Sequence, residues 1–218
     1  MKKLTALLPA LLLAGVLAGC GETPSSTPVD SSTPVVENSS TPEETQTKEL
    51  EAALVGIAKG KTTYLTTVGQ ADSNIVENLL KKAGATGSYS VDVMLDASAV
   101  EEGSVVLLTL GASSKGLGAA GVDEAHEEAR AKAFSDAAAE GKFTLILFHV
   151  GGTARRGTSS DPIIEAAYPS AAACFVVAAG NEDGFFTTLS ATNSVSLYEV
   201  EKTVNLKEYV EGLFGIEA

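Results

Sequence analysis

Tryptophan is absent from the 218 residues, and cysteine, histidine and methionine occur only twice each. Bases are scarce too: 15 Lys and Arg stand against 28 Asp and Glu, a formal net charge of −13. That balance excludes nucleic acid as a partner, because contact with a phosphate backbone needs a basic face. Aromatic residues make up 6% of the chain, which argues against a surface that stacks on sugars or peptides. The one long apolar run near the start, residues 4–17, falls short of the ~20 residues a membrane-spanning helix needs.

That run has the layout of an export signal. Lys2 and Lys3 precede it, and it ends in Leu17-Ala18-Gly19-Cys20, a charged start and small residues before a cleavage point. The ending resembles a bacterial lipobox, in which the cysteine is lipidated and becomes the first residue. Residues 1–19 are therefore read as a lipoprotein signal peptide and Cys20 as the lipidated anchor, which places the mature chain outside the cytoplasm, held at the membrane. Loss of Lys2 and Lys3 leaves 13 bases against 28 acids, or −15. With Cys20 committed, Cys174 has no disulfide partner, and one thiol with two imidazoles predicts no metal site. Cys174 lies in the apolar run AAACFVVAA and reads as a packing residue.

Residues 21–50 follow as a Ser/Thr/Pro-rich linker in which SSTP occurs three times, a composition that reads as a disordered tether. The remainder, 51–218, is long enough for one domain with a sizeable core. Its pattern alternates. Apolar strand-like runs occur at 62–68, 88–94, 104–110, 143–150, 173–179 and 194–200. Between them lie helical patterns: Ile75, Val76, Leu79, Leu80 and Ala83 on one face; an Ala-rich stretch over 123–140 capped by Asp123; a short helix opened by Asp161-Pro162; one near 184–192; and a last with Leu206, Tyr209, Val210, Leu213 and Phe214 on one face, its Asn205 and Glu208 in capping-box spacing. Strict β–α alternation predicts right-handed crossovers and a three-layer αβα sandwich, with a mostly parallel sheet of about six strands in a flavodoxin-like or Rossmann-like order.

In such sheets ligands bind beyond the carboxyl ends of the strands. The connections there are GQADS (69–73), GASSKGLGAAG (111–121), GGTARRGTSSD (151–161) and AGNEDG (179–184). Gly116, Gly118 and Gly121 have the G-x-G-x-x-G spacing, yet they do not make a dinucleotide fingerprint. The strand before them is the third, five residues separate it from Gly116, and the next strand ends in His149 rather than an acid. A P-loop fails because Leu117 follows Gly116 where Lys is required. No cofactor is expected.

What remains is a rim of hydroxyls, backbone amides and cations. Ser113, Ser114 and Lys115 sit beside Gly116 and Gly118; Gly151, Gly152, Arg155 and Arg156 lie in the next loop; Asn181 and Asp183 lie in the last. Amides and guanidinium forks suit a carboxylate or phosphate, so these residues are the candidate contacts for a small anionic or polar ligand. A rival reading has Arg155 and Arg156 paired with Asp161, Glu182 or Asp183, bracing the loops. His149, at the end of a buried strand, is the candidate acid–base group, or else a core histidine. His126 reads as solvated. A triad of Ser113 or Ser114 with His149 and Asp96 lacks the G-x-S-x-G elbow.

The motifs GASSKGLGAAG, HVGGTARRGTSSD and GNEDGFF, in that order on a βα scaffold, resemble a bacterial family described as domain of unknown function 6305, over roughly residues 60–215. The resemblance implies no established activity. It implies that Ser113, Ser114, Lys115, His149, Arg155, Arg156, Asn181 and Asp183 belong to one site. Three functions stay open: a lipid-anchored binding domain working with a membrane transporter or sensor, a hydrolase using His149 with Arg155 and Arg156 as anion stabilisers, and a structural or docking domain whose Gly loops only close the fold.

Overall fold

A computed structural model describes residues 48–217; residues 1–19, expected to be a signal peptide, Cys20, and positions 21–47 of the expected linker lie outside the described residues. Six parallel strands form one sheet: β1 Thr63–Val68, β2 Ser90–Val91, β3 Val105–Leu110, β4 Thr144–His149, β5 Ala173–Val177 and β6 Ser196–Val200. Six helices accompany them: α1 Ser73–Lys82, α2 Ser114–Ala120, α3 Glu124–Ala139, α4 Asp161–Ala167, α5 Phe185–Asn193 and α6 Lys207–Phe214. The strand order β2-β1-β3-β4-β5-β6 is the flavodoxin-type doubly wound order, extended by β6, rather than the 3-2-1-4-5-6 arrangement.

Both faces of the sheet are covered, which is why β3 and β4 are apolar without alternation. Leu65, Leu107, Ile146, Phe148, Phe175 and Tyr198 pack under α1 and α6 on one side. Their neighbours along the strands, Val106, Leu108, Leu145, Leu147, Cys174 and Val176, pack against α3 and α4 on the other. Right-handed crossovers fix this split. The chain moves one way from β1 to β2 and the opposite way from β3 onward, so the topological switch point falls between β1 and β3.

Three local expectations are corrected. The second strand is two residues long rather than spanning 88–94, because the chain turns at once: the Asp92 carboxylate accepts a hydrogen bond from Met94 N at 2.9 Å. Residues 111–121 are not one long loop feeding the helix at Asp123. Ser113 Oγ accepts from Gly116 N at 3.2 Å and caps α2, and Gly121 ends it at φ 70°. Asn205 does not open α6; its Oδ1 accepts from Lys202 N, within a 3-10 turn over Thr203–Leu206 that precedes the helix. The N-terminal segment is tied down from Lys48: Tyr209 donates to the Lys48 carbonyl and Glu51 N to Tyr198 Oη.

Candidate functional site

The loops after β1, β3 and β4 meet at the switch point, and glycines let them do so. An added Cβ at Gly69 would overlap the Gly111 carbonyl, one at Gly116 the Gln70 carbonyl, and one at Gly151 both Arg155 and the Asp72 carboxylate. Ser113 N donates to Gly69 O at 2.9 Å, and Ala112 N to Ser160 Oγ at 2.9 Å. Gly116 and Gly151 thus serve loop-to-loop packing rather than approach of a phosphate. Gly118, on the exposed side of α2, meets nothing within 4 Å.

The two guanidinium groups of the cationic rim expected from the sequence are neutralised in place. Arg155 Nε donates to Asp72 Oδ2 at 3.1 Å. Arg156 has two carboxylate partners: Nε and Nη2 meet Asp161 at 2.8 and 3.3 Å, and Nη1 and Nη2 meet Asp183 at 3.1 and 3.0 Å. Its Nη1 also donates to Gly180 O at 2.5 Å, and its guanidinium lies 3.8 Å above the Phe185 ring. Burial works to lower the Arg156 pKa, but the bonds to Asp161 and Asp183 outweigh it and the pKa is raised. In return, the hydrogen bond from Arg156 holds Asp183 below the usual carboxylate range. For Arg156 the bracing reading is the one the geometry realises; Arg155 is braced by Asp72, a partner that reading did not name. Lys115 and Ser114 are exposed on α2, and neither joins this network.

His149 does not face a crevice. Its side chain is fully buried, packed 4.8 Å from the Phe186 ring and against Gly180. Nε2 lies 3.2 Å from the Gly152 carbonyl, which can only accept, so the proton sits on Nε2. Nδ1 is left without a hydrogen-bond partner. Burial pushes the pKa below the ordinary imidazole range, opposed in part by the Gly152 carbonyl. The residue is a core histidine whose ring is enclosed rather than presented at the rim. No hydrogen bond joins it to Ser113, Ser114 or Asp96, so the triad is not assembled. Asn181 is likewise structural. Its Oδ1 accepts from Phe186 N and Thr187 N, capping α5, while Nδ2 donates to Thr187 Oγ1 and Glu199 Oε2.

What these elements leave open is a cavity of about 160 Å³ over the ends of β4 and β5, lined by Thr153, Arg156, Ala179, Gly180, Glu182 and Asp183. It is smaller than the ~300 Å³ at which drug-sized sites begin.

Sequence reading missed one feature. Glu127 and Arg130 on α3 form an ion pair at 2.7 Å with side chains 0% and 6% exposed. Glu127 also accepts from Gly69 N at 2.7 Å and Gln70 Nε2 at 3.2 Å; Arg130 donates to the carbonyls of Thr67, Val93 and Leu95. The pair holds the β1 turn, where Gln70 and Asp72 adopt left-handed φ of 56° and 61°, a conformation costly for residues with a Cβ. The signal was in the spacing. Residues 127, 130, 131 and 134 make an i, i+3, i+4, i+7 face with Ala131 and Phe134 buried, so two charges occupied core positions.

The order and the glycine-sealed switch point define a flavodoxin-order α/β domain with a small polar pocket at its carboxyl edge. The chain belongs to the family described as Domain of unknown function (DUF6305), whose profile matches residues 61–214. No curated protein and no solved structure matches it.

Proposed function

We propose that this is a lipid-anchored, extracytoplasmic binding domain that takes a small polar ligand, with a carboxylate or similar anion at one end, in the cavity over β4 and β5. The observation that carries this reading is the unequal pairing of Arg156. Each carboxylate also accepts from a backbone amide, Asp161 from Gly157 N at 2.9 Å and Asp183 from Phe185 N at 3.2 Å, but Asp161 is 27% exposed and Asp183 is 64% exposed. An exposed ion pair is worth little, so a ligand carboxylate can displace Asp183 and take over two N–H groups of the guanidinium. The volume limits the ligand to a few non-hydrogen atoms. Leu17-Ala18-Gly19-Cys20 supports the anchor, and a tethered binder of this kind would hand its ligand to a membrane transporter or sensor.

Thermal shift with acetate, phosphate, glycine and lactate tests the site. Stabilisation by small carboxylates is expected, lost in Arg156→Met and strengthened in Asp183→Asn, which removes the competitor. Equal stabilisation of wild type and Arg156→Met overturns the reading. For the anchor, Cys20→Ser should move the protein from the membrane fraction to the soluble one.

A structural or docking domain is the second reading, and the glycines favour it. Gly69, Gly116 and Gly151 are accounted for by loop closure, with no ligand required.

A further inference from the structure

Three of the large apolar side chains that the described residues expose lie in one short stretch at the open edge of the sheet: Val91 at 43%, Val93 at 40% and Met94 at 39%. Single scattered apolar residues need no explanation; these three fall within four consecutive positions, 91–94, with exposed Asp92 among them and exposed Asp96 close by. This stretch is not a loose loop. Asp92 N donates to Leu65 O at 3.1 Å, Arg130 Nη2 donates to Val93 O and Leu95 O at 3.3 and 2.8 Å, and Gln70 Nε2 reaches Val93 O and Met94 Sδ at 3.4 and 3.2 Å. Beneath it, Leu95, Ala97 and Val100 are buried. The backbone is thus pinned from inside by a buried ion pair, while the outer side chains are left in water. Desolvating an ion pair is costly, and here part of what it achieves is to fix an apolar patch in one arrangement. A patch fixed in advance binds without paying to order itself.

From this we infer that the β2 edge is a docking surface for a segment of another protein that carries aliphatic anchors between basic residues. Side chains must make the recognition, because a strand of two residues offers almost no ladder for strand addition. Charge selects the partner: Asp92 and Asp96 are exposed beside the patch with no ion pair among the described residues, in a chain of net charge −13. Acidic segments are repelled and basic ones attracted and oriented. The surface is separate from the Arg156 cavity, so it stands whether or not that cavity binds.

The test uses two fluorescent 12-residue peptides with leucines at the same positions, one with lysine and one with glutamate elsewhere, titrated with the purified chain and read by anisotropy. The lysine peptide should bind, weaken as salt rises, and lose at least tenfold in affinity to Val93→Glu/Met94→Glu. Asp96→Asn, exposed and without a side-chain capping bond, should weaken binding and flatten its salt dependence. Equal binding of both peptides, no binding of either, or an unchanged affinity in the double variant overturns the inference. So does light scattering that finds a dimer abolished by Val93→Glu/Met94→Glu, since the edge then belongs to a second copy.

Discussion

Glu127→Gln is the sharpest probe of how this fold is held together. The substitution keeps the shape of the side chain, so no cavity term enters. It removes the charge that faces Arg130 across 2.7 Å, in a site where both side chains are almost wholly buried. Breaking a buried pair by neutralising one partner costs about 3–5 kcal/mol, since the other charge stays desolvated. Here the carbonyls of Thr67, Val93 and Leu95 still face the guanidinium, which puts the expected loss at the low end, about 3 kcal/mol. For a domain of this size that is a fall of roughly 6–12 °C in melting temperature, measured by circular dichroism under reversible conditions. Glu128→Gln, at the exposed neighbouring position, serves as control and should stay within about 0.5 kcal/mol. Arg130→Met should also destabilise, by stranding the Glu127 carboxylate with only Gly69 N and Gln70 Nε2. The double variant should cost less than the two singles added, by more than about 1 kcal/mol, because it strands neither charge. A Glu127→Gln protein melting within about 2 °C of wild type, or strictly additive costs, would refute the claim that the pair is a desolvated unit.

Four further outcomes are expected. Gly151→Ala should lower the melting temperature by forcing Arg155 and Asp72 apart, whereas Gly118→Ala, inside α2 with open space around it, should raise stability by about 0.5–1 kcal/mol. Because burial depresses the His149 pKa, the unfolded chain binds a proton there that the native one refuses. Stability from this group is therefore full above the ordinary imidazole pKa and falls on acidification through that range, by at most about 1.4 kcal/mol per pH unit. A His149→Gln melt should lose that part of the slope; an unchanged slope tells against it. Cys174, whose thiol burial pushes up to about 12, should resist alkylation at pH 8 in the native protein and react once urea unfolds it. Asp161→Asn should lower the melting temperature more than Asp183→Asn, since Asp161 is the less exposed and its backbone bond, from Gly157 N at 2.9 Å, is shorter than that of Asp183 from Phe185 N at 3.2 Å; the reverse order would remove the distinction between the tighter and the exchangeable partner.

The sequence by itself determined the architecture. Uninterrupted apolar runs at β3 and β4, separated by amphipathic helical stretches, can bury their backbone polar groups and side chains only in a covered parallel sheet, and local pattern carries that information. Strand order was not legible, because nothing in β1 says whether β2 lies to its left or right; packing of the crossovers decides it. Nor was the fate of the charges. Pairing of Arg156 with Asp161 or Asp183 was one of two readings between which local pattern could not choose, and the partner of Arg155, Asp72, lies 83 residues away and was not foreseen. His149 could be assigned to the end of a strand, but whether that end is open or roofed by Phe186 and Gly180 depends on how β5's loop folds back. Glu127 and Arg130 show both sides of the matter. Their place on a core face was written in a spacing of three, while their use as a clamp on β1 and β2 required the sheet to bring Gly69, Thr67 and Val93 to the same point. Short-range periodicity sets what is buried; only the folded chain sets which charges meet.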